Sequence, residues 1–576
     1  MSPAAAAPHC KSSRRMERLA HWYGSTLAPA GAGAVLLWAA LPPLDCGPLA
    51  FFAPVPWIVL MRRPQLAGQH PFRVLWAIGF SFWLAALHWL RLPHWATSFG
   101  WVALSAYFAF YLPVFIGLGR VAVHRLHISP IVAAPVIWTG LELARAHLLT
   151  GFTMASLGHT QYRWIALIQV SDLVGAYGVS FLVMFAAACL GRMIPVDPTT
   201  KTACAQTGDP AASPGPPACA RRSMAWWPAP VLLIGMGAAV VYGHVRMGVS
   251  PTGPKARIAL IQGSIDSQIK SDPSMRNRVH EHYRQLSLQA VQQYTASGPL
   301  DLVVWPETMF REPLVDYDEA FWIPPGWSRG ATLAELHKGQ AESHRALARL
   351  VEELGSAVVV GVDTESFAQG QHRFYNSAVW VDRQGQVQGR YDKMHLVMFG
   401  EYVPFAHWFP ALQGLTPLKV SLSPGAEPKV FEVRTLRLAP NICYESVLPH
   451  LIRRQVQTLA HAGREPHLLL NLTNDGWFWG SSELDMHLIC GVFRAVEMRK
   501  PFLIAANTGF SAWIDANGRI LDRGPRRATG TILAEVCPDP RHSLYLRYGD
   551  WFAGACLAGC GFLAIVALRR RPLAAR

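Results

Sequence analysis

The sequence predicts a multispanning α-helical membrane domain joined to an α/β domain. The first observation is composition: 51% of the 576 residues are hydrophobic and only 15% are charged, against about 25% in ordinary soluble domains. The second is position, because the long apolar segments fall within residues 1–247 and 551–576. Between them, residues 248–550 alternate short β-branched runs with polar helical stretches. A disordered chain is excluded, since disorder requires low hydrophobicity.

Eight apolar segments are the predicted membrane helices. A helix needs about 20 apolar residues to cross the hydrocarbon core, and segment 99–119 carries no charge over 21 residues. The second segment is short and the fifth contains Glu142 and Arg145, so these two are weaker predictions. The segments are 27–44, 47–61, 74–90, 99–119, 128–149, 165–191, 225–243 and 551–568.

Clusters of Lys and Arg predict the orientation of these helices. They precede the first segment and follow the second, fourth, sixth and eighth, so all lie on one side of the membrane. By the positive-inside rule that side is the cytoplasm. Both termini are then cytoplasmic and residues 248–550 lie outside. The clusters are Lys11, Arg14, Arg15 and Arg18; Arg62, Arg63 and Arg73; Arg120 and Arg125; Arg192, Lys201, Arg221 and Arg222; and Arg569, Arg570 and Arg571.

The excess of Lys and Arg in the predicted cytoplasmic segments accounts for the net charge of +15. Nucleic-acid binding is a weaker explanation, because no basic run is interleaved with aromatic residues. Residues 194–223, rich in Pro, Ala, Gly and Thr, are predicted to be a flexible cytoplasmic loop. A basic N-terminus before an apolar run is also typical of a cleaved signal peptide, although the six further spans favour an uncleaved helix.

Glu142 and Arg145 are three residues apart and therefore on one face of the fifth segment. Charged residues within a span usually face a protein interior or a water-filled cavity. They are either a polar lining near a substrate headgroup or residues that hold the helix end at the outer membrane boundary, and the sequence leaves both open.

Residues 256–550 have the pattern of an α/β domain. Six runs read as strands: 256–262, 301–305, 356–362, 377–381, 467–472 and 502–506. Residues 276–296 and 342–354 read as helices. Strands that alternate with helices predict a sheet buried on both faces.

Polar residues follow several of these strands, at the edge where open α/β sheets bind ligands. Glu307 follows 301–305, Cys443 follows the run LRLAPNI, and Asn474 and Asp475 follow 467–472. Lys393 follows another short strand. Each of these residues on its own also fits an ordinary structural role. The cysteine could be a small buried apolar residue, and the glutamate a turn or helix-cap residue.

Together these residues form a set that can perform nucleophilic catalysis. A thiol needs a base and a nearby positive charge in order to attack. Glu307 can take the proton, and Lys393 can stabilise an oxyanion. The backbone N–H of Tyr444, next to Cys443, is a candidate second oxyanion donor.

The motifs WPE (305–307), YDKMHLVMFGEYVP (391–404), NICYE (441–445) and NDGWF (474–478) resemble the nitrilase, or carbon–nitrogen hydrolase, superfamily. The resemblance implies a four-layer α-β-β-α sandwich with a catalytic triad of Glu307, Lys393 and Cys443. It also implies that Glu401 supports the lysine and that Tyr444 and Glu445 act beside the nucleophile.

Membrane segments on both sides of this domain narrow the resemblance to the bacterial apolipoprotein N-acyltransferase family. The stretches QGSI (262–265), LELARAHLLTGF (141–152) and LGHTQ (157–161) are similar to that family too. The resemblance implies a phospholipid acyl donor, a thioester on the cysteine, and a diacylglyceryl apolipoprotein as acceptor. It places the enzyme in the bacterial inner membrane, with its catalytic domain on the periplasmic side.

Some residues depart from the family pattern. Ser264 and Ser271 replace Asn and Trp, and Thr153-Met154 stand in a GFPW-type turn. Pro440 lies in a predicted central strand, where a missing N–H is awkward. These departures bear on lipid contacts and leave the triad whole.

Three neighbouring aromatic residues are either a lid or pocket lining, or ordinary core and interfacial residues: Trp477, Phe478 and Trp479.

No cofactor or metal is predicted. The ten cysteines include no CxxC pair, and no HExxH, Walker loop or GxGxxG stands in a strand–helix context. Two other hypotheses remain. The first is a membrane-tethered amidase that acts on a small amide. The second is a transporter or scaffold whose external domain only binds, a reading that an intact Cys–Glu–Lys set disfavours.

Overall fold

The computed structural model describes residues 25–196, 224–249 and 251–569, with short gaps at 267–268, 271, 319–320, 323–331, 369, 405–407 and 410–419. Most of the predicted cytoplasmic loop 194–223 lies outside the described residues. So do Ser271, the basic cluster before the first segment, Lys201, Arg221, Arg222, Arg570 and Arg571.

All eight predicted apolar segments contain helix. Residues 97–125, 176–193, 228–247 and 551–568 are the four described stretches that are long and apolar enough to cross a membrane, so the count of eight spans stays a prediction. Before the α/β domain the helices are α1 (Leu27–Ala40), α2 (Val55–Arg62), α3 (Pro71–Ala86), α4 (Thr97–Phe108), α5 (Tyr111–Arg125), α6 (Pro130–His147), α7 (Ile165–Ile168), α8 (Ser171–Val174), α9 (Ala176–Met193) and α10 (Pro228–Met247). A C-terminal helix, Trp551–Leu568, follows the domain.

The sixth segment is not the single helix that its apolar run predicts. The chain forms the short helices α7 and α8 and turns at Gly175, whose φ is +75°. A Cβ at Gly175 would lie 2.7 Å from the ring of Tyr545. Glycine is therefore needed at this turn both for its backbone conformation and because a residue far away in the sequence fills the space beside it.

The α/β domain contains two sheets. The first has the strand order β13-β1-β2-β4-β5-β6, with β3 beside β4, and the second has the order β12-β11-β10-β9-β8-β7. The strands are β1 (Ala256–Gln262), β2 (Leu302–Val304), β3 (Phe310–Tyr317), β4 (Val358–Ala368), β5 (Gln371–Val381), β6 (Val387–Asp392), β7 (Phe431–Val433), β8 (Leu436–Ile442), β9 (Leu468–Thr473), β10 (Phe502–Ala506), β11 (Ala512–Ile514), β12 (Ile520–Arg523) and β13 (Gly530–Val536).

The sheets pack face to face between two helical layers. Apolar residues of both sheets, such as Leu260 and Leu470, share one buried core. Helices α11 (Arg276–Thr295) and α12 (Leu333–Leu354) cover the outer face of the first sheet. Helices α13 (Pro449–His461) and α14 (Glu483–Met498) cover the second. The result is a four-layer α-β-β-α sandwich, followed by the short helix α15 (Leu544–Tyr548).

Pro440 fits its strand because of where β7 ends. β7 pairs with β8 only as far as Leu438, and the carbonyl of Pro440 accepts a hydrogen bond from the side chain of Gln455 rather than from a strand. Pro440 therefore lacks its N–H on the edge of β8 that faces β7, beyond the point where β7 ends. The neighbouring residues still pair with β9.

Buried ionic contacts join the membrane helices to the sandwich. Asp172 on α8 accepts hydrogen bonds from Arg499 at 2.6 and 2.9 Å and from Arg246 at 2.7 Å. Glu497 accepts a hydrogen bond from the backbone N–H of Ala176 at 2.8 Å. The side chains of Asp172, Arg499 and Glu497 are almost fully buried, so these contacts fix the site relative to the helices.

Candidate active site

Cys443 lies where β8 ends and a short 3-10 helix begins. Its φ is +52°, a region that residues other than glycine rarely adopt and that is often found at functional sites. Its carbonyl oxygen accepts hydrogen bonds from Asn471 Nδ2 at 3.1 Å, Ser446 Oγ at 3.1 Å and His487 Nε2 at 3.2 Å. The strained turn is therefore held from three directions.

Glu307 follows β2 and reaches across to the second sheet. Its Oε1 accepts a hydrogen bond from Asn376 Nδ2 at 2.7 Å, and its Oε2 accepts one from the backbone N–H of Asn474 at 2.9 Å. Lys393 Nζ lies 3.7 Å from Oε1. The carboxylate thus has a fixed orientation between the carboxyl ends of the two sheets.

Lys393 follows β6 and is 1% exposed. Its Nζ donates to Glu401 Oε1 at 2.8 Å. Burial alone would lower the pKa of Lys393, but Glu401, Cys443 and Glu307 outweigh it and raise that pKa above its usual range. Lys393 is therefore a positive charge at neutral pH.

Burial, and then the charge of Glu307, raise the pKa of the Cys443 thiol well above its usual range, although Lys393 acts in the opposite direction. The resting group is therefore a thiol and not a thiolate. Attack by sulfur requires a base at the moment of reaction, and the fixed carboxylate of Glu307 is suited to be that base.

Glu401 and Glu445 hold the surrounding loops. Glu401 Oε2 accepts a hydrogen bond from the N–H of Val397 at 2.8 Å. Glu445 is buried and accepts hydrogen bonds from the hydroxyl of Tyr391 and from the N–H groups of Met394, His395 and Ile442, at 2.7 to 3.0 Å. Glu445 therefore connects the turn that carries Cys443 to the segment that carries Lys393.

Two residues of the site were not predicted from the sequence. Asn376 lies inside β5, just before the predicted strand 377–381, and its Nδ2 contacts both Glu307 and Glu401. His487 lies within α14 and contacts the Cys443 turn. A motif search has no signal for either, because each side chain reaches the site from the middle of an element.

Asp475, Glu483 and His487 are the group of described side chains that could together hold a metal ion, with ligand atoms within 4.8 Å of one another. A hydrogen bond already links two of them, however. Asp475 Oδ1 accepts hydrogen bonds from Thr473 at 2.8 Å and from His487 Nδ1 at 3.1 Å. Burial and Asp475 raise the pKa of Glu483 well above its usual range, which favours its neutral form. We interpret Asp475 and His487 as a hydrogen-bonded pair beside this acid.

The site borders the membrane helices. The hydroxyl of Tyr444 donates to the carbonyl of Gly151 at 2.8 Å, and the hydroxyl of Thr153 donates to the carbonyl of Val447. Met154, the other departure at this turn, is buried in the same apolar cluster as Val447. These departures from the family pattern therefore lie against the catalytic turn.

The three aromatic residues after Asp475 have different surroundings. Phe478 packs edge-on against Trp89 of the membrane domain, with ring centroids 5.1 Å apart. Trp477 and Trp479 are substantially exposed.

Ser264, another departure from the family pattern, has a φ of +54°, a region that asparagine tolerates better.

Glu142 and Arg145 line a cavity of about 50 Å³ between α1, α2, α3, α5 and α6, whose other walls are mostly apolar and aromatic. Glu142 accepts hydrogen bonds from Trp138 Nε1 and the N–H of Leu157. Arg145 donates to Ser156 Oγ at 2.8 Å. One oxygen of Glu142 and Nε of Arg145 are buried without a partner, so the cavity has polar groups available.

Comparisons with known proteins match both parts of the chain. The apolipoprotein N-acyltransferase N-terminal domain model matches residues 33–189, and the carbon–nitrogen hydrolase model matches residues 257–540. The apolipoprotein N-acyltransferase of Geobacter metallireducens is 35% identical over 548 residues, 94% of each chain. That of Rhodopirellula baltica is 31% identical over 581 residues, 94% of this chain and 98% of the relative.

Among solved structures, an amidase from Nesterenkonia sp. AN1 is similar at 17% identity and a TM-score of 0.33, covering 51% of this chain and 96% of the amidase. A Saccharomyces cerevisiae member of branch 10 of the nitrilase superfamily is similar at 16% identity and a TM-score of 0.35, covering 56% and 99%.

Proposed function

The chain belongs to the family of apolipoprotein N-acyltransferases, and we propose that it transfers an acyl chain from a phospholipid to the α-amino group of the N-terminal S-diacylglyceryl-cysteine of a lipoprotein. The observation that carries this proposal is the set of half-buried Cys443 with buried Glu307 and Lys393 beside the membrane helices. A soluble substrate would not need a thiol placed at that border.

The first step forms a thioester. The sulfur of Cys443 attacks the ester carbonyl of the phospholipid, while Glu307 takes the thiol proton and passes it to the leaving lysophospholipid oxygen. Lys393 and the N–H of Tyr444 stabilise the oxyanion. The Tyr444 N–H lies in the first turn of the 3-10 helix, where an N–H has no partner within its own helix.

The second step passes the acyl chain to the acceptor. The lipoprotein amine attacks the thioester carbonyl, Glu307 removes a proton from the amine, and the C–S bond breaks to restore the thiol. A covalent intermediate between two substrates predicts ping-pong kinetics. Water has to be excluded, since it would otherwise hydrolyse the thioester. The apolar residues packed around Tyr444 and Val447 support that exclusion.

The cavity that contains Glu142 and Arg145 supports delivery of lipid from the side. Its volume of about 50 Å³ holds only a few atoms, so its apolar walls and unpaired polar groups suit the ester region of a lipid and not a whole acyl chain. Of the two readings that the sequence leaves open for these residues, we therefore favour the polar lining.

The basic clusters support a location in the bacterial inner membrane, with both termini cytoplasmic and the α/β domain on the periplasmic side. Both lipid substrates of the proposed reaction would be available at that face. Eight spans give this orientation, and the four long apolar helices agree with a membrane location.

Mass spectrometry of the purified protein with phospholipid tests the proposal. We expect an acyl adduct on Cys443 that hydroxylamine removes and that is absent from Cys443→Ala. A diacylated lipopeptide should discharge the adduct and become triacylated. A folded protein that gives no adduct with any phospholipid would contradict the acyl-transfer mechanism. Ammonia released from a small amide would then support the amidase alternative.

A further inference from the structure

His487 occupies a fully buried position between a carboxylate and the catalytic turn. Its Nδ1 lies 3.1 Å from Asp475 Oδ1. Its Nε2 lies 2.8 Å from Ser446 Oγ and 3.2 Å from the carbonyl oxygen of Cys443. Neither the sequence motifs nor the proposed mechanism assigns His487 a role.

The acceptors around the ring determine its protons. Nδ1 faces a carboxylate oxygen and Nε2 faces a main-chain carbonyl oxygen, and neither oxygen can donate. Ser446 donates its own hydroxyl to the Cys443 carbonyl at 3.1 Å and so accepts from Nε2. In that arrangement both ring nitrogens carry hydrogen, and we assign His487 as an imidazolium.

The charges nearby agree with that protonation. Burial alone would lower the pKa of His487, but Asp475 outweighs it and, with smaller contributions from Cys443 and Glu307, raises the pKa above its usual range. Burial and Asp475 favour the neutral form of Glu483, the other acid beside this pair. A cation is thus paired with Asp475 directly behind the nucleophile.

The Cys443 carbonyl and the Tyr444 N–H belong to the same peptide group. Hydrogen bonds to the oxygen of a peptide group polarise it and strengthen its N–H as a donor. This effect is largest for a charged donor in a dry environment, and Ser446, Asn471 and His487 are all buried.

We propose that His487, oriented by Asp475, is a positioning residue that polarises the Cys443–Tyr444 peptide group and thereby strengthens the Tyr444 N–H as an oxyanion donor. This inference rests on the proposed function, because it requires an acyl-transfer step through an oxyanion. It predicts that His487 matters for attack on a carbonyl and not for other reactions of the thiol.

The test compares two reactions of the same sulfur in the full-length protein. Thioester formation from phospholipid passes through an oxyanion, whereas alkylation by iodoacetamide displaces iodide at a saturated carbon and does not. We expect His487→Ala to slow thioester formation by about tenfold, less than the roughly 10²-fold of a wholly lost oxyanion donor, and to slow alkylation by less than about twofold.

Two further variants separate this role from a structural one. His487→Gln keeps a neutral donor near the Nε2 position and should restore most of the lost acylation rate. His467→Ala is the matched control, since His467 is half-buried, accepts a hydrogen bond from the N–H of Arg437 at 3.0 Å and lies at the opposite end of β9. It should leave both rates unchanged.

The possible results separate a failure of this positioning role from a failure of the proposed function. If the unmodified protein forms no thioester, the proposed function fails. If it forms one, and His487→Ala either acylates at the same rate or loses alkylation and acylation equally, the positioning role is wrong. A His487→Gln variant as slow as His487→Ala would also overturn it.

Discussion

The thiol of Cys443 and the carboxylate of Glu307 act on each other in opposite senses. The charge of Glu307 raises the pKa of the thiol and so keeps the sulfur protonated at rest. The same carboxylate is the base that the proposed reaction needs. One side chain therefore suppresses the free thiolate and also enables the attack.

Glu307→Gln separates these two effects. We expect acyl transfer to fall by about 10³-fold, because the base is lost. Alkylation of Cys443 by iodoacetamide should become faster at neutral pH, because loss of the negative charge lowers the pKa of the thiol. Rates measured across pH check the sign: in both proteins alkylation should rise about tenfold per pH unit below the thiol pKa. Slower alkylation in the variant would contradict the role assigned to the charge.

Lys393 balances two buried carboxylates, so its removal should cost stability as well as activity. For Lys393→Met we expect no measurable acylation and a loss of about 3–5 kcal/mol of unfolding free energy, the range for an uncompensated buried charge. Adding Glu401→Gln should recover part of the stability and none of the activity. Thermal or denaturant unfolding of the two single variants and the double variant checks this.

The sequence predicts some site residues because of their position in the chain. Glu307, Lys393 and Cys443 each follow a strand, and parallel strands bring their carboxyl ends together. Asn376 and His487 could not be found in this way. Each lies within a strand or helix, and its orientation toward the site depends on packing that no local pattern records.

At the scale of elements, Glu445 connects the turn of Cys443 with the segment after β6. It accepts hydrogen bonds from the N–H groups of Met394 and His395 on one side and of Ile442 on the other. The distance between the thiol and the lysine therefore depends on this carboxylate.

Glu445→Gln should disturb that spacing. The new amide NH₂ would face N–H donors and leave at least one of them unpaired, which costs about 1–3 kcal/mol. We expect slower acylation and faster hydrogen exchange at residues 391–395, with the rest of the sandwich unchanged. Tyr391→Phe is the control, because it removes one donor and leaves the carboxylate in place. Uniformly faster exchange across both sheets would instead indicate general destabilisation.

The elements also show where sequence patterns lose information. Strands β1 and β10 lie where their β-branched and apolar runs predict them, at 256–262 and 502–506. Segment 165–191 is as apolar as a membrane helix, yet it breaks at Gly175, where the backbone has a positive φ and Tyr545 leaves no space for a side chain. Hydropathy indicates that a segment lies in an apolar environment. It does not record the tertiary contacts that determine where a helix ends.

At the scale of the whole molecule, the distribution of basic residues predicts which parts of the chain face which compartment. Single cysteines at exposed positions test this in a background without other reactive thiols. Glu352→Cys on α12 should react with an impermeant maleimide once the outer membrane is opened. Gln69→Cys, between α2 and α3, should react only after the inner membrane is lysed. The reverse pattern would overturn the predicted orientation.

The docking of the sandwich onto the membrane helices limits how the enzyme can move. Every residue of α14 except Asp485 is buried, and the guanidinium of Arg499 is enclosed with Asp172. Rocking one half against the other would strip charged groups of their partners in a dry interface. We therefore expect turnover to proceed without relative movement of the two halves. A covalent crosslink between the two halves, placed away from the site, would leave the catalytic cycle running at its normal speed.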